Sequence, residues 1–460
     1  MSRHIVIIGG GISGLSAAYY LSRFARQEKS SVQIKVLEAN HRFGGVVRTL
    51  SCGHTLIEAG ADAFYGSGEG GEVALALCRE LGIQGELLEA NPCFRRFFIL
   101  KGQKIFSIPE NLSSFSALSI KEIFRLPLLS PAAKCRMALE PWIPCRKENS
   151  DESVGYFFRR RLGTGFFHEV IRPLIRGVYM ADPETLSVQE VFPGFKKAER
   201  TCGSLGKAFW REKNKCLQRN RFFTFRGGLE TFIHGLVRQL EDCELRTHSK
   251  VQSCEYDAGW KVILEHGEML PADDVCLAMT ASDASKLIKG SMPELFRELS
   301  GISYGTIVAV NVIFKTEDIL HPNLDFGFIV PADDRKNIFS SLKWLGKTPD
   351  GQHLYLRAFI HGENAEVKDD LLLPKVMEDL RKIFGIMARP CFMSVERYPD
   401  VLPQYQVGHA GRMATLQEKL KLFPGLYLTG NSFYGFGISD CIFQAKEIAC
   451  KISAHLYIEK

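Results

Sequence analysis

Three glycines and one acid carry the first sign of chemistry in this chain. Gly9, Gly11 and Gly14 stand in the spacing Gly-x-Gly-x-x-Gly, directly after the apolar run Ile5–Ile8 and before Leu15–Leu21, which reads as a helix. The first glycine permits a tight turn, the second lets a pyrophosphate approach the backbone, and the third allows the helix to pack closely on the strand. The helix amino terminus then offers unpaired N–H groups and the positive end of its dipole to phosphate. A second strand, Gln33–Glu38, ends on Glu38, an acid placed to accept hydrogen bonds from a ribose diol. An acid there disfavours a 2′-phosphate, so the spacing predicts FAD or NAD rather than NADP.

Such a loop needs a scaffold, and strand, glycine turn, helix and strand together predict a βαβ unit of a parallel sheet. A chain of 460 residues has room for two or three domains. With 45% hydrophobic and 24% charged residues it is neither disordered, collagen-like nor a coiled coil. No run reaches the roughly 18 to 20 apolar residues that span a bilayer, and the first apolar run is too short for a secretory signal. Thirteen scattered cysteines with no Cys-x-x-Cys pair point to reduced thiols in a cytosolic compartment, without a disulfide framework or metal site.

The net charge of +6 is unevenly spread: residues 91–220 hold 23 Lys plus Arg against 12 Asp plus Glu, a surplus of +11 that leaves −5 for the remainder. A basic middle predicts an acidic substrate or a lipid surface, or else a plain solvated face. No nucleic-acid module is present, so no nucleic-acid partner is expected. Ser113–Leu129 and Trp142-Ile-Pro mix Phe, Leu and Ile with cations in a way that suits a membrane interface.

Beyond Glu38, the residues Arg42, Gly44, Gly45, Arg48 and Thr49 fill every position of R-x-G-G-x-x-R-[ST], and here the chain resembles the flavin-dependent amine oxidase and porphyrinogen oxidase superfamily. Arg172–Ser187 (RPLIRGVYMADPETLS) resembles a stretch found in porphyrinogen oxidases, and Leu402–His409 (LPQYQVGH) resembles another. Phe223–Phe232 looks like the return of the chain to the flavin domain, and Tyr434–Ile442 (YGFGISDCI) resembles the closing flavin motif. The resemblance implies an α/β fold: a Rossmann-like FAD-binding domain of the amine-oxidase type, a mixed-sheet substrate domain and a helical, membrane-facing insertion. The expected division is 1–90, 206–285 and 409–460 for the FAD domain, 91–205 for the basic insertion and 286–408 for the substrate domain.

It also implies non-covalent FAD, held by Gly9, Gly11, Gly14, Glu38, Ala39, Arg42, Gly45, Val46, Gly60, Ala61, Val251, Phe436, Gly437 and Ile438. Asp62 is the catalytic candidate, as a carboxylate that takes a proton from a pyrrole nitrogen or orients the ring. Cys441 lies near the position where some amine oxidases attach their flavin. Ser113 falls where plant and animal relatives place a propionate-holding Arg, with Arg95 or Arg96 as substitutes, and His409 is either a proton carrier or a structural residue. The implied activity is oxygen-dependent, six-electron oxidation of protoporphyrinogen IX to protoporphyrin IX in haem biosynthesis. Coproporphyrinogen III oxidation, another amine oxidase or desaturase, and a non-catalytic escort of prenylated GTPases are the alternatives. The implied partners are the porphyrinogen and molecular oxygen. A cytoplasmic location with contact at the inner face of the membrane, and a homodimer, complete the expectation.

Overall fold

The computed structural model describes residues 2–53, 55–90, 97–101, 104–108, 125–146, 150–212, 221–319, 327–331, 337–347 and 351–458. Arg95, Arg96, Ser113 and most of the Ser113–Leu129 stretch lie outside these residues. The chain forms two compact units, one of residues 1–90, 220–304 and 411–460, the other of 91–219 and 305–410.

The first unit is organised by a five-stranded parallel sheet in the order Glu244–Arg246, Val32–Leu37, Arg3–Ile8, Asp274–Leu277, Leu426–Leu428. The central strand is apolar at successive positions because both of its faces are covered. Ile5 and Ile7 join a core with the helices Ile12–Glu28 and Ile438–Ile458, while Val6 and Ile8 join a second core with Val262, Leu264 and Leu295. An antiparallel meander, Val251–Tyr256, Trp260–Leu264 and Met269–Ala272, extends this second core.

The second unit holds a seven-stranded mixed sheet in the order Phe392–Gln404, Ser303–Lys315, His353–Ile360, Ser341–Lys347, Gly327–Ile329, Phe97–Lys101, Lys104–Ile108. One face, with Val308, Val310, Val312, Leu354, Leu356 and Ala358, is apolar and shares a core with Leu372, Val376 and Leu380 of the helix Asp369–Phe384. The opposite face carries Asn311, Tyr355, Arg357 and Lys343, whose strand positions alternate with the apolar set.

A helical cluster built on Phe157, Phe158, Phe166 and Phe167 makes the rest of this unit. Within it, cations and carboxylates form a largely buried network: Arg161 with Glu140, Arg160 with Glu152 and Glu199 at 2.9 and 2.7 Å, Lys196 with Glu152, and half-buried Arg146 with Glu152 at 3.7 Å. On the surface of the same part, Leu139, Trp142 and Tyr156 are exposed, and the Arg146 guanidinium lies over the Tyr156 ring. Among the described residues no helix is long and apolar enough to cross a membrane.

Candidate active site

The glycine turn is fixed by contacts that admit no side chain. Gly9 has φ +112°, and a Cβ there would stand 2.3 Å from the Ala278 carbonyl oxygen; one at Gly14 would stand 1.9 Å from the Gly9 oxygen. Gly11 differs, since a Cβ there meets nothing within 4 Å. It is also the N-cap of the helix Ile12–Glu28 and supplies no capping side chain, so the first N–H groups of that helix are left for another acceptor.

Glu38 is buried at the end of its strand. Its Oε2 accepts the Gly10 N–H at 2.8 Å, and its Oε1 accepts the N–H and the side-chain amide of Asn40, each at 2.8 Å. The carboxylate therefore sits beside the glycine turn, in the place a ribose acid needs. The Ser249 N–H donates to the Glu38 carbonyl and the His248 N–H to that of Asn40, which sets buried Val251 at the head of its strand next to this loop. Ala39 is exposed in the same loop. Glu38→Gln keeps the shape but turns one acceptor into a donor facing an N–H. FAD affinity measured by flavin-fluorescence titration is expected to fall roughly tenfold, the scale of one charged hydrogen bond.

The second glycine pair runs alongside the first turn. Gly44 donates its N–H to the Gly10 carbonyl at 2.8 Å, and a Cβ at Gly45 would lie 3.4 Å from Gly11 Cα. Val46 follows, exposed. The Arg42 guanidinium donates to the carbonyls of Phe43, Gly45 and Val47 at 3.0, 2.6 and 3.1 Å and faces Glu230 at 3.6 Å, so it shapes this loop from within. Thr49, the last position of the arginine–glycine motif, locks the loop in place together with Glu58 and Glu230. The Thr49 hydroxyl donates to Glu58, Glu58 accepts the Leu229 N–H at 2.7 Å, and the Glu230 N–H returns to the Thr49 oxygen. Gly60, Ala61 and Asp62 lie half-buried in the connection from Thr55–Glu58 to the short strand Phe64–Tyr65.

The closing motif joins the same frame. The Ser439 hydroxyl donates to the Tyr65 carbonyl at 2.5 Å, and Ser13, at the start of the first helix, hydrogen-bonds to the Cys441 thiol. Gly435, at φ +88°, would place a Cβ 2.7 Å from Asp440 Cγ. The Gly437 N–H donates to Asp440 Oδ2 at 3.1 Å, and Gln444 donates to the carbonyls of Tyr434 and Gly435. Phe436 is exposed at the apex of this turn, and Ile438 is buried as the first residue of the last helix. Gln444 lies outside the motifs, and Asp440, although part of the YGFGISDCI motif, carries there no role of its own; an acid three residues after a glycine at a helix start is the usual capping pattern.

The structure thus gathers in the first unit the glycine turn, Glu38, the Gly44–Gly45 loop, Val251, the Asp62 segment and the closing turn. His409 belongs to the other unit, where it is buried and stacks on Tyr405 with ring centroids 4.3 Å apart. Burial pushes the Cys441 thiol up to about 12, so at neutral pH it is no nucleophile. Acid precipitation of the holoprotein is therefore expected to release all of its flavin into the supernatant, measured by absorbance against the protein-bound remainder.

An uncapped helix start, open space at Gly11 and a buried carboxylate beside the turn fit a dinucleotide, and the second glycine loop with its closing turn fits a flavoprotein of the two-glycine-loop kind. The chain belongs to the family of flavin-containing amine oxidoreductases, whose pattern it matches over residues 12–453; it is an oxidoreductase, and its cofactor is FAD. It is 29% identical to the coproporphyrinogen III oxidase of Bacillus subtilis, over 99% of each chain. Against the protoporphyrinogen oxidase of Bos taurus it is 27% identical, over 98% of each. A crystal structure from Exiguobacterium sp. 255-15, described provisionally as a protoporphyrinogen oxidase, superimposes with a TM-score of 0.85 at 27% identity over 99% of both chains.

Proposed function

We propose that this chain oxidises coproporphyrinogen III to coproporphyrin III. The observation that carries the reading is the end-to-end similarity to a coproporphyrinogen III oxidase, at 29% over 99% of each chain, on a frame whose flavin-holding loops are intact. Protoporphyrinogen IX, the substrate that leads in the sequence reading, is the second candidate, supported by the bovine and Exiguobacterium relatives. The +11 surplus of the middle segment favours the tetracarboxylate over the dicarboxylate.

When bound, FAD supplies a two-electron acceptor that dioxygen restores, so three rounds convert one porphyrinogen and three dioxygen molecules into one porphyrin and three hydrogen peroxide molecules. This chain's own residues hold and orient. Glu38 anchors the ribose, the start of the Ile12–Glu28 helix faces the pyrophosphate, and the Asp440-braced turn holds Phe436 and Ile438 in place. Asp62 accepts a proton released from the macrocycle as each hydride equivalent leaves. Exposed Leu139, Trp142 and Tyr156, the last under the Arg146 guanidinium, supply the contact with a membrane surface, where aromatic rings and cations are favoured together.

The test is aerobic turnover of the FAD-loaded protein with coproporphyrinogen III and protoporphyrinogen IX side by side, read by porphyrin fluorescence and peroxide. A preference for coproporphyrinogen III is expected. The opposite preference selects the second candidate, and no oxidation of either above the enzyme-free rate directs attention to amines.

A further inference from the structure

The loop of residues 42–49 is folded around a guanidinium. Arg42 Nη1 donates to the carbonyls of Phe43 and Val47, and Nη2 donates to that of Gly45. Three carbonyls are thus engaged inside the turn, and its N–H groups are left for the outside. Gly44 and Gly45, at φ +111° and +57°, permit this arrangement, and a Cβ at Gly44 would stand 3.0 Å from Arg42 Nη1. The N–H groups of Gly45 and Val46 donate to nothing among the described residues, and both residues are exposed. Gly45 also lies against Gly11, at the uncapped start of the Ile12–Glu28 helix. Successive main-chain N–H groups set out in this way make a concavity that suits an anion.

A cation held inside a loop needs a counter-charge, and Glu230 supplies it. Glu230 opens the helix Glu230–Arg238, whose Phe232, Ile233 and Leu236 are buried in the core of the first unit. Its Oε1 stands 3.6 Å from Arg42 Nη1, and its Oε2 accepts the Thr49 N–H at 3.3 Å. Its own N–H donates to Thr49 Oγ1 at 3.2 Å. One carboxylate therefore reaches both ends of the loop, from an element fixed by packing. On the same helix, Ile233 lies 3.3 Å from where a Cβ of Gly44 would stand. An acid in a first helical turn is favoured by the dipole alone, but that preference calls for neither Arg42 nor Thr49.

We infer that Glu230 is a positioning residue for the flavin: through Arg42 and Thr49 it fixes the loop in the shape that offers the Gly45 and Val46 N–H groups to the cofactor. Arg42 serves as the template of the loop, with its fork matched to inward-facing carbonyls.

The test measures FAD affinity of the flavin-free full chain by equilibrium dialysis, with a melting profile taken before FAD is added. Glu230→Gln keeps the shape and an acceptor for Thr49 while removing the charge that faces Arg42. Glu241→Gln, at an exposed acid of the same unit, is the control. Glu230→Gln is expected to weaken FAD binding about fivefold, the upper end for a partly exposed ion pair, with the flavin-free melting profile and the control unchanged. In an Arg42→Gln background the same substitution is expected to have no further effect, because the group through which it acts is gone. Wild-type FAD affinity in Glu230→Gln overturns the inference, as does early melting of its flavin-free form, which would assign Glu230 to the fold alone. An undiminished loss in the Arg42→Gln background overturns the route through Arg42. No porphyrinogen enters the measurement, so its outcome is independent of which substrate the protein oxidises.

Discussion

Replacing Glu140 by alanine is expected to destabilise the second unit by roughly 3–5 kcal/mol, because it leaves a fully buried guanidinium without its hydrogen-bonded carboxylate. Glu140 is the carboxylate that Arg161 hydrogen-bonds; the carbonyls of Ile143 and Gly203 accept from the same guanidinium at 2.8 and 3.0 Å, and the Glu199 carboxylate stands farther off at 3.7 Å. The same carboxylate accepts the Ser204 hydroxyl at 2.6 Å and the N–H groups of Leu205 and Gly206 at 2.9 and 3.2 Å, so it also caps the helix Leu205–Glu212. Alanine removes all of these acceptors and leaves space too dry for water to replace them cheaply. Thermal melting with limited proteolysis of the second unit should show early unfolding there, with the flavin retained at low temperature. The pair as a whole contributes less than its parts suggest, since desolvation of both ions opposes their attraction. Glu140→Leu combined with Arg161→Met is therefore expected to recover most of the stability lost by Glu140→Ala. A double variant as unstable as the single one would show that the hydrogen bonds to residues 203–206, and not the broken ion pair, dominate.

What the sequence discloses here is local. The run Ile5–Ile8 reads as a buried strand because four successive apolar residues suit a strand covered on both faces, and the two separate cores on its faces bear this out. Thr306–Phe314 reads as a long strand and lies within the strand Ser303–Lys315, since β-branched residues alternate with a face that must be apolar. The glycine turn is legible from its spacing between strand and helix, although only Gly14, against the Gly9 oxygen, answers a local contact, and Gly9 itself faces the distant Ala278 carbonyl. The ring of Thr49, Glu58 and Glu230 is not legible, as it joins segments up to 181 positions apart. Nor is the row of Asn311, Arg357 and Lys343, which exists only once register is set: a slip of one strand by one residue would send its member to the opposite face. Glu140 and Arg161 illustrate the same limit. In sequence they are two of many charges in a basic stretch, and only packing of the Phe157–Phe167 cluster around them turns a surface-like composition into a buried pair.

Gly11→Ala and Gly14→Ala are expected to separate binding from folding within the same six-residue turn. Alanine at Gly14 would force a Cβ against the Gly9 oxygen at 1.9 Å and the Ala278 methyl at 3.2 Å, both part of the strand–helix junction. The helix can only move off the sheet, a cost of about 1–3 kcal/mol or more for overpacking, so the variant should melt early whether or not flavin is supplied. Gly11 has φ −76° and ψ −176°, which any residue adopts, and a Cβ there meets nothing. The polypeptide should therefore tolerate the change, with a wild-type melting profile in the flavin-free state. The methyl group instead occupies the approach to the helix start that a pyrophosphate must use. The expected result is a folded, colourless protein whose FAD affinity is reduced by about two orders of magnitude, roughly 2.8 kcal/mol, by equilibrium dialysis. A yellow Gly11→Ala protein with wild-type affinity would mean that the pyrophosphate does not pass this turn closely, and the assignment of the phosphate-binding loop would fall with it.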